Sequence, residues 1–302
     1  QGDFMKKLHK AFLIAALATS ALALMACNND DDDDNNNNNT PTASLPTSVG
    51  ENIFSGKTFT DESNGITWKF STNTVVQAGE FDDSESQWTC CSQWTYRYSY
   101  NTEKSILYLA LMSHSESGTK NGESYSDSYS SVDEYVAIHK KDSPDGVTRT
   151  EDDISYFTDL AKSNFALQEV YKYEISGNTI SCEDYFDGSL PTECEFRSSD
   201  NAIKLESQLR IHSNSEEYDK IRAPYLSYSN GKFSGNIYGE SYNRSEKTDH
   251  FTLLGKVEGT YSTSGTGTEG SDCTVKLTFT AIPNAVTSAS GVAEGTEYTL
   301  TF

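Results

Sequence analysis

Residues 94–100 read WTYRYSY, and this stretch decides the fold of the chain. Four aromatic residues occupy every second position, and the residues between them are polar. Because successive side chains of a β-strand point to opposite faces, this period of two predicts a strand with one buried face. Such alternation is typical of an antiparallel sheet that has one face in water.

The residues after this strand predict an antiparallel partner for it. Residues 101–104 turn the chain, and residues 106–112 return as a strand that is apolar on both faces, which indicates a covered position in a sheet. Residues 113–130 consist mostly of Ser, Gly, Tyr and acidic residues. We expect them to form a long exposed loop.

Hairpin signals occur on both sides of the aromatic strand. Asn64-Gly65 lies between alternating segments at residues 57–60 and 66–70, and Asn230-Gly231 lies between two later ones. Further strands are expected at residues 170–175, 179–186, 203–211, 225–228, 233–238, 251–261, 273–279 and 297–302.

Two helices are predicted between these groups of strands. Ser131 with Glu134 fits a capping box, and Thr150 is followed by three acidic residues that suit a helix N-terminus. After Thr150, apolar residues recur with helical spacing; they are Ile154, Phe157, Leu160, Ala161 and Phe165. We expect this helical insertion, near residues 131–168, to pack across the sheet or to fill an opening in it.

The pattern as a whole predicts a mainly β fold, an antiparallel barrel or a strongly curved sheet of about ten strands. No clean repeat or interdomain linker interrupts residues 50–302, so we expect one β-rich domain there.

The start of the chain has the three parts of an export signal. A basic head begins at Met5, residues 11–26 are uncharged and apolar, and Cys27 follows directly. Sixteen residues span about 24 Å as a helix, short of the roughly 30 Å hydrocarbon core, so a cleaved signal is favoured over a membrane span. We interpret residues 1–26 as a signal peptide, with residues 1–4 as an upstream extension.

Leu24-Met25-Ala26-Cys27 resembles the lipobox of bacterial lipoproteins in the relaxed form that spirochaete lipoproteins use. The resemblance implies cleavage before Cys27 and lipid attachment to its sulfur and its new amino group. It implies a lipid-anchored protein of the bacterial cell envelope, at the outer membrane or cell surface rather than the inner membrane. The alternative is an ordinary secretory signal cut near Ala26, with Cys27 incidental.

An acidic, polar segment follows the expected cleavage site. Residues 28–39 are only Asn and Asp, and they cannot bury apolar surface, so we predict a disordered tether over residues 27–49. A calcium site is disfavoured because the run lacks the spaced ligands and central Gly of a calcium loop. The formal net charge of the chain is −22, which argues against a nucleic-acid partner.

Residues 53–60 read IFSGKTFT and resemble the opening segment of bacterial lipocalin-like lipoproteins. In that family a Gly and an aromatic residue mark the first barrel strand, and here they are Gly56 and Phe59. Thr58 stands where the family has Trp. The resemblance implies a closed antiparallel barrel whose apolar interior takes a small lipophilic ligand.

The aromatic residues Trp94, Tyr96, Tyr98 and Tyr100 are the candidate ligand-binding residues. Stacked aromatic side chains can line a lipophilic cavity or form a platform for a carbohydrate, and ordinary sheet packing is the alternative. A host macromolecule bound by exposed loops is a further possible partner.

Five cysteines remain after Cys27. Cys182 and Cys194 flank a polar segment and are the candidates for a disulfide bond. Of the rest, Cys273 could pair with Cys90 or Cys91, which would leave one thiol. No His or Cys cluster has the spacing of a zinc site, so no metal is predicted.

The sequence offers no spacing that identifies a catalytic group. Residues 265–270 read GTGTEG, but they precede a strand, so we expect a flexible loop and no dinucleotide cofactor. We therefore predict a lipid-anchored binding protein without enzymatic activity. The alternatives are an envelope hydrolase with no recognisable motif, or a structural surface-coat protein.

Overall fold

The computed structural model describes residues 40–83, 88–120, 122–141 and 147–302. The predicted signal peptide, Cys27 and the tether up to residue 39 lie outside the described residues. Within them the chain forms eighteen strands and three helices, so the mainly β fold is confirmed.

The strands and helices fall into two groups along the chain. The first group contains β1 (Thr58–Asp61), β2 (Ile66–Phe70), β3 (Thr74–Asp83), β4 (Trp88–Asn101), β5 (Ile106–Lys120), β6 (Glu123–Tyr129), α1 (Val132–Lys141), α2 (Glu151–Ala166), β7 (Gln168–Ser176) and β8 (Thr179–Phe186). The second contains β9 (Phe196–Ser198), β10 (Ile203–Leu205), β11 (Leu209–Ile211), β12 (Lys220–Ala223), β13 (Ser227–Ser229), β14 (Lys232–Asn243), β15 (Thr248–Ser264), β16 (Gly267–Thr268), β17 (Thr274–Ala281), α3 (Asn284–Ser290) and β18 (Glu297–Thr301).

The first group forms a closed barrel, which is one of the two architectures that the sequence predicts and the one that the lipocalin-like resemblance implies. The strand order is β1-β2-β3-β4-β5-β7-β8, and β8 pairs with β1 to complete the ring. Thr60 pairs in parallel with Thr179 at this closure, where the Thr60 amide donates to Asn178 O at 2.9 Å. The other pairs of the ring are antiparallel.

The interior of the first barrel is occupied by aromatic side chains. Phe54 is fully buried, and its ring centroid lies 4.9 Å from that of Phe70 and 5.1 Å from that of Tyr173. Phe59, the aromatic residue of the lipocalin-like opening segment, contacts Phe70 edge-to-face in the same cluster. Since aromatic pairs prefer these offset and edge-to-face arrangements, the interior is a packed core.

The second group of strands also pairs around a ring. The order β12-β11-β10-β9-β18-β17-β15-β14 is completed by pairing of β14 with β12, and β13 adds to β14. The interior holds a second apolar cluster that includes Phe196, Leu209, Ile221, Val257 and Phe279. The described residues therefore contain two closed sheets, each with its own core, and more strands than the ten expected.

Helices α1 and α2 share a third apolar cluster with Tyr129, Tyr238 and Phe251, whereas Val286 and Ala289 of α3 belong to the second core. Helix α2 begins as predicted at Thr150, whose Oγ1 accepts from the Asp153 amide at 3.1 Å while Asp153 Oδ2 accepts from the Thr150 amide at 2.9 Å. Its buried face, which includes Phe157 and Phe165, packs with Tyr238 of the second ring. The expected helical insertion is thus confirmed.

Only one half of the capping box predicted for α1 forms as expected. The Glu134 amide donates to Ser131 Oγ at 3.3 Å, but the Glu134 carboxylate accepts from the amide of Ser130 at 2.6 Å. At the N-terminus of α1 the Glu134 amide therefore has Ser131 Oγ as its acceptor, and the Val132 amide has Thr40 Oγ1 at 3.0 Å.

Two segments expected to be loops contain strands. Residues 113–130 hold the end of β5 and all of β6, because the ladder between β4 and β5 continues to Lys120 and gives these polar residues backbone partners. Residues 265–270 hold β16, which pairs with the end of β8, so a segment between β15 and β17 adds a strand to the first sheet. Neither strand pairing could be predicted from the composition of these segments.

The C-terminal part of the predicted tether, residues 27–49, is also corrected. Residues 40–49, here called the docked segment, lie against the folded region. The Ala43 amide donates to Phe165 O at 2.9 Å, the Arg97 guanidinium donates to Ala43 O at 2.9 Å, and Ala43 is buried. The polar composition of this segment predicted disorder, but its hydrogen bonds to Arg97 and Phe165 hold it against the fold.

Among the described residues, none of the helices is both long enough and apolar enough to span a membrane.

Candidate functional site

The predicted aromatic residues all lie in or against the core of the first barrel. Tyr96 and Tyr98 belong to its cluster, and Trp94 and Tyr100 pack against it. The hydroxyl of Tyr98 donates to Ser71 O at 3.0 Å, so its polar end is satisfied inside the protein. This is the placement expected for sheet packing.

At its Trp94 end, the aromatic row is connected to helix α2 by a chain of ring contacts. The Trp94 ring lies 5.2 Å from His114, and His114 lies 5.3 Å from Tyr129, which contacts Phe165 of α2. Burial lowers the pKa of His114 to about 4, so its imidazole is neutral at pH 7. These rings connect the barrel to the helical layer; His114, Tyr129 and Phe165 are buried, and Trp94 is partly buried.

A small pocket lies at another place, where the end of α2 meets the turn between β10 and β11. Its lining residues are Ser163, Ala166, Leu190, Pro191, Thr192, Glu206, Ser207, Gln208, Leu209, Tyr225, Leu226 and Tyr228. Its volume is about 20 Å³, which holds about one water molecule because such a molecule needs roughly 10–15 Å³ by the same measure.

Gln208 is the unusual residue of this pocket. Its side chain is 2 % exposed, and neither Oε1 nor Nε2 has a hydrogen-bond partner among the residues that the structure describes. A buried amide without partners is unfavourable, and native proteins contain few such groups. Gln208 thus adds to the pocket wall a buried amide whose two polar atoms have almost no accessible surface.

Backbone contacts hold the pocket in place. The Glu206 amide donates to Gln208 O at 3.1 Å, which closes the turn, and Ser163 Oγ donates to Ser207 O at 2.6 Å, which fixes the turn to α2. On the opposite wall, a Cβ on Gly235 would lie 2.2 Å from Tyr225 O. Gly235 thus allows the Tyr225 backbone to approach β14 closely.

The single carboxylate of the pocket is paired with cations. Glu206 lies 2.8 Å from Lys204 Nζ, and its other oxygen contacts the Arg210 guanidinium. Burial lowers the pKa of Arg210, which nevertheless stays charged at pH 7 because the reference value for arginine is far higher. The pocket wall is therefore close to neutral.

A second polar cluster joins the start of α2 to β15. His250 Nδ1 lies 3.1 Å from Asp153 Oδ2, and His250 Nε2 lies 2.6 Å from Glu246 Oε2. Burial alone would lower the pKa of His250, but the hydrogen bonds to Glu246 and Asp153 outweigh burial and raise it.

A catalytic triad also contains a histidine that is hydrogen-bonded to a carboxylate, but there the second ring nitrogen faces a nucleophile. Here the second nitrogen of His250 faces Glu246, so both nitrogens are engaged by carboxylates. The arrangement is suited to fastening α2 to the hairpin of β14 and β15.

The cysteines occupy separate environments. Cys90 is buried beside Ser92, and burial raises the pKa of its thiol to about 11, whereas Cys91 points to the opposite face of β4 and is exposed. The expected disulfide between Cys182 and Cys194 is not formed in the structure. Cys182 packs beside the first core and Cys194 lies inside the second.

Metal-ligating side chains are not brought together in the described part of the chain, where no group of three His, Cys, Asp or Glu residues could hold an ion. The sequence reasoning missed Gln208, because glutamine carries no motif. The available signal was the interruption of the alternation at residues 206–208 between Leu205 and Leu209, which marks a turn.

Comparisons with protein-family models, with curated proteins and with solved structures each found no match. Function is therefore inferred from this chain's own residues.

Proposed function

We propose that this protein is a lipid-anchored protein of the bacterial cell envelope, held in the membrane by Cys27. Its β-rich region binds a ligand outside the cytoplasm. The observation that carries the proposal is the sequence Leu24-Met25-Ala26-Cys27 at the end of an apolar leader. Several acyl chains on one residue would anchor it firmly, because each buried methylene contributes about 0.8 kcal/mol.

The docked segment supports this arrangement. It reaches the folded region at Thr40, whose hydroxyl accepts a hydrogen bond from the Val132 amide at 3.0 Å. Between Cys27 and Thr40 the chain can extend at most roughly 45 Å, which limits the distance from the membrane to the helical layer. The β-rich region would therefore be displayed close to the lipid surface.

The packed interior of the first barrel favours recognition on the outside of the protein. Phe54, Phe59 and Phe70 occupy the space in which a lipocalin-like barrel would hold a lipophilic ligand. A ligand in that interior would have to displace aromatic side chains that are in mutual contact. A carbohydrate or macromolecule bound at the surface requires no such displacement.

Binding is favoured over hydrolysis by the state of the reactive side chains. The pKa of the Cys90 thiol is raised, which removes nucleophilic thiolate at pH 7. Both ring nitrogens of His250 are engaged by carboxylates. Neither group has the environment of an activated catalytic residue.

Metabolic labelling in a bacterial host tests the anchor. We expect labelled palmitate to be incorporated into the full chain and the protein to fractionate with membranes. The Cys27→Ser variant should lose the label and remain an uncleaved precursor, while the matched control Cys91→Ser, a change at an exposed cysteine, should keep it. Equal labelling of Cys27→Ser and the original chain would refute the proposed anchor.

A further inference from the structure

We propose that β15 carries a strand edge able to pair with a second copy of this chain, and that side chains at the start of α2 cover this edge. The proposal goes beyond the proposed function, because it concerns self-association of the β-rich region and depends neither on the anchor nor on a ligand. Two observations carry it, the pairing of β15 with its neighbours and the hydrogen bonds at its open side.

One side of β15 lacks a neighbouring strand at residues 248–257. On the other side, β14 pairs with β15 from Thr248 to Thr260, whereas β17 pairs with it only from Glu258 to Ser264. No further strand in the described part of the chain pairs with β15. An open edge of this kind presents a row of amide and carbonyl groups that can pair with another chain.

Two carboxylates at the start of α2 bind amides of this open edge. The Phe251 amide donates to Asp153 Oδ1 at 2.8 Å, and the Leu253 amide donates to Asp152 Oδ2 at 3.0 Å. Since the backbone groups of a strand alternate in direction, amides two residues apart belong to the same edge. The carboxylates therefore occupy the places that carbonyl groups of a neighbouring strand would take.

Arg149 continues the same row as a donor. Its Nη1 donates to Asp249 O at 2.8 Å, so it stands where the amide of a neighbouring strand would lie. The guanidinium carbon also lies 5.2 Å from the centre of the Phe157 ring, which holds it against α2. Arg149, Asp152 and Asp153 are here called the covering side chains.

The length of the edge is limited at its C-terminal end. A Cβ on Gly255 would lie 3.0 Å from Cγ of Pro283, so the chain after β17 approaches β15 there. Proline has no amide hydrogen and cannot continue a ladder. The stretch that a second copy can use is therefore residues 249–253, which are also the residues bound by the covering side chains.

Residues 249–253 are self-complementary in an antiparallel pair. With Phe251 opposite its counterpart, Asp249 of one copy faces Leu253 of the other, so no like charges stand directly opposite each other. These three residues present the outward backbone groups and would form the hydrogen-bonded pairs. A two-fold interface uses the same patch on both copies, so this edge fits a second copy.

The covering side chains and a second copy exclude each other, because both need the amides of Phe251 and Leu253. The formal net charge of −22 adds repulsion between copies, which salt screens. We therefore expect the original chain to be monomeric, and association to appear when the covering side chains are removed.

The test measures the mass of the full chain in detergent by sedimentation velocity, over a hundredfold range of protein concentration and in buffer with salt. The cover is removed in Arg149→Ala/Asp152→Ala/Asp153→Ala. The conservative variant Arg149→Lys/Asp152→Asn/Asp153→Asn keeps a donor and two oxygen acceptors. The matched control, Lys140→Ala/Asp133→Ala/Glu151→Ala, removes the same charges at exposed positions.

Hydrogen exchange of residues 248–254, read by mass spectrometry, locates the interface in the same samples. A labelled synthetic peptide of residues 248–254 and its scrambled form serve as probes of the open edge. The peptide of native sequence reports pairing with this chain's own strand, whereas the scrambled form reports pairing with any extended peptide.

We expect the triple-alanine variant to approach twice the mass of the original chain as concentration rises, while the conservative variant and the control keep the monomer mass. Residues 248–254 of the triple-alanine variant should exchange faster than in the original chain at low concentration and at least tenfold slower at high concentration. The native peptide should bind this variant at least tenfold more tightly than the scrambled peptide.

If the triple-alanine variant does not fold, Arg149→Ala/Asp152→Ala takes its place, because it keeps the helix cap at Asp153, and it should show the same shift in mass. Unchanged exchange at low concentration would show that the side chains do not cover the edge. A monomer with fast exchange at all concentrations, equal association of the original chain, or equal binding of the scrambled peptide would each overturn the proposal.

Discussion

Asp153 holds His250 across the junction between α2 and the second ring, with Oδ2 of the aspartate 3.1 Å from Nδ1 of the histidine. The same carboxylate accepts the amide of Phe251 at 2.8 Å and the amide of Thr150, so it caps the helix and binds β15 at once. Burial would raise the pKa of Asp153, but these hydrogen bonds outweigh burial and lower it.

This contact predicts a pH dependence of stability. Because the pKa of His250 is raised in the folded state, its contribution is complete below the unfolded value of about 6.5 and is lost as pH rises through the folded pKa. Thermal unfolding measured from pH 5.5 to 9 should show His250→Gln less stable than the original chain at the acidic end by about 1 kcal/mol. The difference should shrink toward the alkaline end.

His212→Gln is the matched control, because His212 is exposed. It should follow the original chain across the whole pH range. A His250→Gln difference that grows with pH would contradict the assignment of a charged histidine between two carboxylates.

The core of the first barrel predicts a large effect at Phe54. Its ring contacts Phe59, Phe70, Tyr98, Tyr100 and Tyr173. Phe54→Ala should lower the free energy of unfolding by about 3–5 kcal/mol, since it leaves a cavity in a packed cluster. Urea denaturation followed by tryptophan fluorescence measures it.

Tyr242→Ala serves as the control for Phe54→Ala, because Tyr242 is 50 % exposed. Its effect should stay within about 0.5 kcal/mol. A similarly small effect of Phe54→Ala would mean that the barrel interior is loosely filled and open to a ligand.

The docked segment predicts a change in protease sensitivity. Ala43 is 5 % exposed, so Ala43→Glu would bury a charge and release residues 40–49 from the fold. Limited proteolysis should cut this segment at least several-fold faster than in the original chain. Thr47→Glu, at an exposed position of the same segment, should leave the rate unchanged. Equal cleavage of Ala43→Glu and the original chain would show that the segment is not held by this contact.

Adjacent cysteines on β4 should differ in reactivity. Cys90 is buried with a pKa raised to about 11, and Cys91 is exposed on the other face. Iodoacetamide at pH 8 should modify Cys91 at least tenfold faster than Cys90, as read by peptide mass spectrometry. Cys91→Ser should abolish the fast phase, and Cys90→Ser should preserve it. The reverse pattern would contradict the assignment of Cys90 as buried and Cys91 as exposed.

Local sequence patterns predicted the local structure well. The alternation at residues 94–100, the turn at Asn64-Gly65 and the cap at Thr150 each specify geometry within a few neighbouring residues, and each is present. The pairing of Thr60 with Thr179, which closes the first barrel, joins residues far apart in the chain. No local pattern encodes such a contact.

The features that were not predicted also depend on contacts between distant segments of the chain. Residues 113–130 looked like a loop because most of their side chains are polar, but β4 pairs with the end of β5, and β5 in turn pairs with β6. Gln208 was missed because its environment is assembled from α2, the residues around Pro191 and the segment at Tyr225. A buried amide without partners is visible only after these elements have come together.

The most direct test of the proposed anchoring is the mass of the mature N-terminal peptide, isolated from the bacterial host in detergent. We expect the mature chain to begin at Cys27 and to carry the added mass of several acyl chains on that residue. A chain that retains residues 5–26, or one that begins at Cys27 without acyl mass, would contradict it.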